Sequence, residues 1–145
     1  MAKVYVSSVI NAPVQTVWER IRDFNALPRW HPVVAESRIE GGLRSDAVGC
    51  VRNFTLRDGG NLREQLLALS DVDHVCTYSI LVSPLPVANY VATLQLRRVT
   101  EGDRTFAEWS AAFDPSPVEA EKAGVETITG VFQAGFNALK QHFGG

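Results

Sequence analysis

Three residues stand out because each breaks an apolar row with a group that can do chemistry. Side chains in a strand alternate between the two faces with period two. Arg52 therefore shares a face with Val48, Cys50, Phe54 and Leu56, Glu64 with Leu62, Leu66 and Ala68, and Tyr90 with Ala88, Ala92, Leu94 and Leu96. An unpaired buried charge is so unfavourable that Arg52 and Glu64, if both face inward, must pair or hydrogen-bond. Tyr90 adds a hydroxyl that donates or accepts. Such a trio in an apolar cavity could anchor the polar head of a ligand. It could equally move protons, with Glu64 as base and Tyr90 or Arg52 stabilising an oxyanion. A structural ion pair, or strand ends meeting solvent, is the competing reading of the same residues.

Other chemistries have less support. His31, His74 and His142 lack ligand spacing and a cysteine or carboxylate cluster beside them, so no metal site is expected. There is no G-x-S-x-G elbow, no G-x-G-x-x-G and no P-loop, so neither a serine nucleophile nor a nucleotide cofactor is indicated, and no cofactor is expected. His31, between Trp30 and Pro32, reads as a surface-loop histidine, with a place at a cavity mouth as the alternative. Cys50 and Cys76 are the only cysteines; they read as reduced thiols inside strands, two strands apart and too distant for a disulfide.

The elements that must position these residues follow from pattern. Val4 to Ile10 is rich in β-branched residues and reads as a strand. Pro13 suits the first turn of a helix carrying Val14, Val17, Trp18 and Ile21 on its apolar face, which makes Trp18 core. A short connector runs from Leu27 to Pro32. Six β-like runs then follow near 33–40, 47–56, 62–69, 74–82, 87–99 and 104–113, with breaks at Gly41-Gly42, Asp58-Gly59-Gly60, Asp71-Val72-Asp73, Ser83-Pro84-Leu85-Pro86 and Glu101-Gly102-Asp103. The links are too short for crossover helices, so consecutive antiparallel hairpins are expected. After Pro115 and Pro117 comes a long helix with Val125, Ile128, Phe132, Phe136, Leu139 and Phe143 on one face. An antiparallel sheet with helices gathered on one side is α+β.

Length and charge narrow the setting. At 145 residues the chain is one domain's worth (1–145), long enough to bury a core or line a cavity. Sixteen acidic against fourteen basic residues leave a net charge of −2, with no Lys/Arg cluster. Neither nucleic acid nor an anionic membrane surface is indicated as a partner. No signal-peptide pattern opens the sequence and no run of 18 apolar residues occurs, so no membrane insertion and a cytoplasmic location are expected. A homo-oligomer remains open.

This order of elements resembles the START/Bet v 1-like superfamily, the polyketide cyclase/dehydrase and lipid-transport proteins. The segments that carry the likeness are Ile21-Arg22-Asp23-Phe24 leading to Trp30-His31-Pro32, Val48-Gly49-Cys50-Val51-Arg52 and Arg63-Glu64-Gln65-Leu66-Leu67. After them come Asn89-Tyr90-Val91-Ala92-Thr93 and Glu108-Trp109-Ser110. More narrowly, the chain looks like the branch of lachrymatory factor synthase and its bacterial relatives. The resemblance implies a helix-grip fold: a curved seven-stranded antiparallel sheet wrapped around a long C-terminal helix, with two short helices between strands 1 and 2. It implies a cavity between sheet and helix, and it places the synthase's Arg, Glu and Tyr on Arg52, Glu64 and Tyr90. The synthase carries an aromatic just before its Arg-Glu segment, where this chain has Asn61-Leu62, so the synthase's own substrate is not carried over.

The expected function is to hold a small, mostly apolar molecule, as a carrier or ligand-binding module. Phe54, Leu66, Leu94, Trp109, Phe132 and Phe136 are the expected ligand-lining residues, with Trp109 either core or cavity wall. The alternative is a cofactor-independent cyclase, dehydratase or isomerase using Arg52, Glu64 and Tyr90. The cavity is expected to measure a few hundred Å³, as ligand sites usually do.

Overall fold

A computed structural model describes residues 1–145. Seven strands form one antiparallel sheet: β1 (Ala2–Ile10), β2 (Val34–Ile39), β3 (Val51–Leu56), β4 (Asn61–Ser70), β5 (Val75–Val82), β6 (Val87–Val99) and β7 (Arg104–Pro115). Their order across the sheet is β1-β7-β6-β5-β4-β3-β2. The hairpin links thus produce a meander from β2 to β7, and β1 returns to close its far side against β7, with Ala2 opposite Phe113 and Ile10 opposite Thr105. Two short helices, α1 (Val14–Ile21) and α2 (Leu27–Trp30), lie between β1 and β2. The long helix α3 (Glu121–His142) ends the chain. This is the helix-grip α+β architecture that the sequence predicts.

Alternation explains the sheet's two faces. On β7, Thr105, Ala107, Trp109, Ala111 and Phe113 are buried and their neighbours are not. On β6 the buried set is Tyr90, Ala92, Leu94 and Leu96. Register shifts at Val34/Glu36, Arg63/Glu64, Leu66/Ala68 and Ala88/Val91 bend the sheet, as bulges do, so it curls around α3. The helix answers with Ile128, Phe132, Phe136 and Leu139, all buried. These four continue the predicted stripe, whose outer members Val125 and Phe143 are half-buried.

Local details differ from the sequence pattern. The run expected at 47–56 begins at Val51, because residues 47–50 turn instead: Cys50 N–H donates to the Ala47 carbonyl and Gly49 has φ 95°. Cys50 therefore precedes its strand, while Cys76 lies within β5 as expected; both are free thiols. Pro13 sits one place before α1, as its N-cap.

His31 is not the surface-loop residue the sequence suggests. It is 2% exposed, because α2 tucks beneath α3 and the ring fills a space left by Gly135. A Cβ at Gly135 would stand 3.0 Å from both His31 Cδ2 and Trp109 Cζ3. No helix of the protein is long and apolar enough to cross a membrane.

The two mid-helix glycines should respond oppositely to alanine. Gly130→Ala meets nothing within 4 Å and should raise stability by up to about 1 kcal/mol through helix propensity. Gly135→Ala forces two packed rings apart and should lower it by about 1–3 kcal/mol. Urea unfolding of both variants checks the pair. Equal gains at the two sites would contradict the packing described here.

Candidate functional site

Between the concave face of the sheet and α3 lies a cavity of about 400 Å³, lined mostly by hydrophobic side chains. Its wall includes Leu27, Val34, Phe54, Leu62, Ile80, Leu85, Trp109, Ile128 and Phe132. Trp109 and Phe132 stack face to face across the sheet–helix boundary, centroids 4.3 Å apart and planes within 8°. Trp109 is thus both core and cavity wall. The mouth is marked by lining residues that also reach solvent: Pro32, Arg57, Asp58 and Thr127.

The polar residues lie at the floor. Arg52 and Glu64 stand directly opposite each other on β3 and β4, on the concave face. They are 6% and 5% exposed. Arg52 Nε donates to Glu64 Oε1 at 2.9 Å, and Nη2 lies 2.7 Å from the same oxygen. Nη1 donates to the Phe24 carbonyl at 3.2 Å. The guanidinium carbon sits 3.9 Å from the Phe24 ring centre and 4.8 Å from that of Tyr78, so aromatic faces sheathe the cation. Both close contacts on the carboxylate, one hydrogen bond and one ion-pair contact, fall on Oε1. Oε2 accepts nothing from the protein, yet it is not sealed from solvent-sized space, and Glu64 lines the cavity.

Two tyrosines complete the floor. Tyr90 is buried on β6 and lines the cavity, but it makes no hydrogen bond to Arg52 or Glu64. Tyr78 on β5 lies between, and its hydroxyl accepts from Trp109 Nε1 at 3.1 Å. Sequence reasoning missed Tyr78, although Cys76, Tyr78 and Ile80 share a strand face and would have shown it. It also missed Phe24, whose carbonyl and ring both serve Arg52 across 28 residues of chain. Of the expected lining residues, Phe54, Trp109 and Phe132 line the cavity. Leu66, Leu94 and Phe136 do not. All three are buried: Leu94 meets Trp18 and Trp30 around a gap of only about 20 Å³, and Phe136 packs on Trp109.

Burial sets the electrostatics. Removal from water pushes the Glu64 carboxyl up from its ordinary range, against the pull of Arg52. Tyr90 is pushed well above the usual phenol value by burial, then by Tyr78 and Glu64, and Tyr78 is raised for the same leading reason. Both phenols are therefore neutral donors at any ordinary pH. His31 is pushed down to about 4, first by burial and further by the Arg52 charge, while its contact with the Val131 carbonyl acts in the opposite sense. Its Nε2 lies 2.8 Å from that carbonyl, and Nδ1 accepts from the Val33 N–H at 3.3 Å. A donating Nε2 and accepting Nδ1 define the neutral tautomer.

A family model described as polyketide cyclase/dehydrase and lipid transport matches residues 1–144. The chain belongs to this polyketide cyclase/dehydrase and lipid-transport family. Solved structures agree. Protein XoxI from Bacillus cereus is 33% identical, with a TM-score of 0.90 over 99% of this chain and 96% of its own. An uncharacterized protein from Bacillus thuringiensis is 32% identical, with a TM-score of 0.88 over 98% of each chain. A Thermobifida fusca protein solved by NMR is 31% identical, with a TM-score of 0.87 over 99% of this chain and 94% of its own.

Two outcomes follow from the floor's chemistry. Glu64→Leu alone strands a buried guanidinium and should destabilise by about 3–5 kcal/mol, whereas Arg52→Met with Glu64→Leu should recover most of that loss. Denaturant melts of the single and double variants form the cycle that checks it. Acid should act through His31, whose value falls from 6.5 to about 4 on folding. Its contribution is complete above pH 6.5 and is lost as pH falls towards 4, about 3 kcal/mol in all, because the unfolded chain takes the proton first. The raised Glu64 works in the opposite direction, favouring the folded state at low pH. The difference between wild type and His31→Gln therefore isolates the histidine, and the wild type should lose stability relative to the variant as pH falls from 6.5 towards 4.

Proposed function

We propose that this protein binds one small, mostly apolar molecule between the sheet and α3, as a carrier or ligand-binding module. The observation that carries the reading is the cavity itself: about 400 Å³ left open inside a layer whose other end is tightly packed. A chain that folded only for stability would gain from filling it, since unfilled apolar volume lowers stability. The mouth between the β3–β4 turn and Thr127 gives a ligand a way in.

A second reading is favoured by one specific observation, the unpartnered Glu64 Oε2 in a water-poor, apolar space. With its value raised by burial, that oxygen suits proton abstraction from a bound ligand, and the neutral Tyr90 phenol suits donation to a developing oxyanion. Arg52 would hold the carboxylate in place and offset its charge. On this reading the protein is a cofactor-independent cyclase, dehydratase or isomerase, of the kind that the lachrymatory factor synthase-like branch represents. Arg52, Glu64 and Tyr90 then carry the chemistry, and Phe54, Trp109 and Phe132 the ligand's body.

An environment-sensitive apolar dye should bind the native protein with saturation near one per chain. Val131→Trp places an indole in the cavity from α3, and it should abolish binding while leaving the far-UV circular dichroism unchanged. Undiminished dye binding by that variant would contradict this location. Native mass spectrometry of protein from its own cells separates the two readings: a carrier retains an intact compound, whereas an enzyme converts what it is given.

A further inference from the structure

We infer that the cavity selects neutral ligands bearing a hydroxyl, such as a phenol or enol, and rejects carboxylates. The inference rests on the ligand-binding reading above and concerns the chemistry of the ligand's head. An arginine at the base of an apolar cavity invites the opposite expectation, a fatty-acid-like anion held by the cation. The geometry argues against it. Arg52 already faces a carboxylate at 2.7 Å, so the buried pair carries no net charge. An incoming carboxylate would leave the floor with one uncompensated negative charge in an apolar enclosure, which is strongly unfavourable. It would also lie beside Glu64 Oε2, a like charge.

What Glu64 lacks is a second donor. Glu64, its side chain 6% exposed, keeps Oε2 without a partner and turned to the cavity. A ligand O–H satisfies that oxygen, and the ligand's own oxygen can then accept from Tyr90, which lines the same space and makes no hydrogen bond to Arg52 or Glu64. The mouth adds little net charge of its own. Arg57 is engaged by the Pro32 carbonyl at 2.8 Å and is followed directly by Asp58, so the rim is also close to neutral.

Three probes of one shape test this at pH 7: 2-naphthol, 2-methoxynaphthalene and 2-naphthoate. Titration calorimetry on the wild-type protein should show 2-naphthol binding about tenfold or more tightly than the methyl ether, because a hydrogen bond to a charged acceptor is lost. 2-Naphthoate should bind weakest of the three. Glu64→Gln, confirmed folded by its melting curve, leaves Arg52 uncompensated and should reverse the order, with 2-naphthoate now ahead of 2-naphthol. Equal binding of the naphthol and its ether, or tighter wild-type binding of the naphthoate, overturns the inference but leaves an apolar ligand site standing. Failure of all three to bind overturns both. The wild-type ranking decides the matter even if Glu64→Gln does not fold.

Discussion

A positive and a negative charge, held 2.7 Å apart beneath an apolar cavity, are the constraint around which this protein is arranged. Neither Arg52 nor Glu64 has enough water around it to be left alone, so each must be met from the protein. Direct opposition on neighbouring strands supplies the pair, the Phe24 carbonyl takes a further guanidinium hydrogen, and Phe24 and Tyr78 close over the cation. The segment after α1 is thereby tied to the floor of the sheet. Such pairs contribute little net stability compared with well-packed apolar residues. Their consequence lies elsewhere: an otherwise greasy wall acquires one fixed polar spot with an acceptor to spare.

The same layer behaves in two ways along its length. At one end Trp18, Trp30, Leu94 and Phe136 pack closely, and Gly135 lets α3 approach Trp109 and His31. At the other end the sheet curves away from Ile128 and Val131 and leaves room. Trp109 belongs to both, stacking on Phe132 while its indole N–H fixes Tyr78. His31 likewise joins the ends, tying the residues after α2 to the Val131 carbonyl at the cavity's edge. Tight packing at one end is what allows the other to stay open.

The sequence made much of this legible, and the physical reasons are specific. Period-two alternation is a local property, so it placed Arg52, Glu64 and Tyr90 on one face each, and short links left only an antiparallel meander. The helical stripe from Val125 to Phe143 needed a sheet to cover, and seven strands were available to form it. What stayed hidden depended on contacts across long stretches of chain. Phe24 reaches Arg52 only after the connector folds under the helix. His31 is buried because Gly135, 104 residues later, leaves it room, and nothing near His31 signals that. Leu66, Leu94 and Phe136 share faces with true lining residues, but alternation says which face a side chain takes and not how far along the layer the open space extends. Tyr78 was within reach of the same alternation that found Tyr90.

The central claim is that Glu64, already paired with Arg52, presents its free oxygen to a ligand in this cavity. Carbon-13 NMR of the glutamate side-chain carboxyls during titration with 2-naphthol reads that oxygen directly. The account predicts that one buried carboxyl resonance, absent in Glu64→Gln, shifts and saturates near one ligand per chain while the surface glutamates stay still. Binding of the naphthol with the Glu64 resonance unmoved would contradict it.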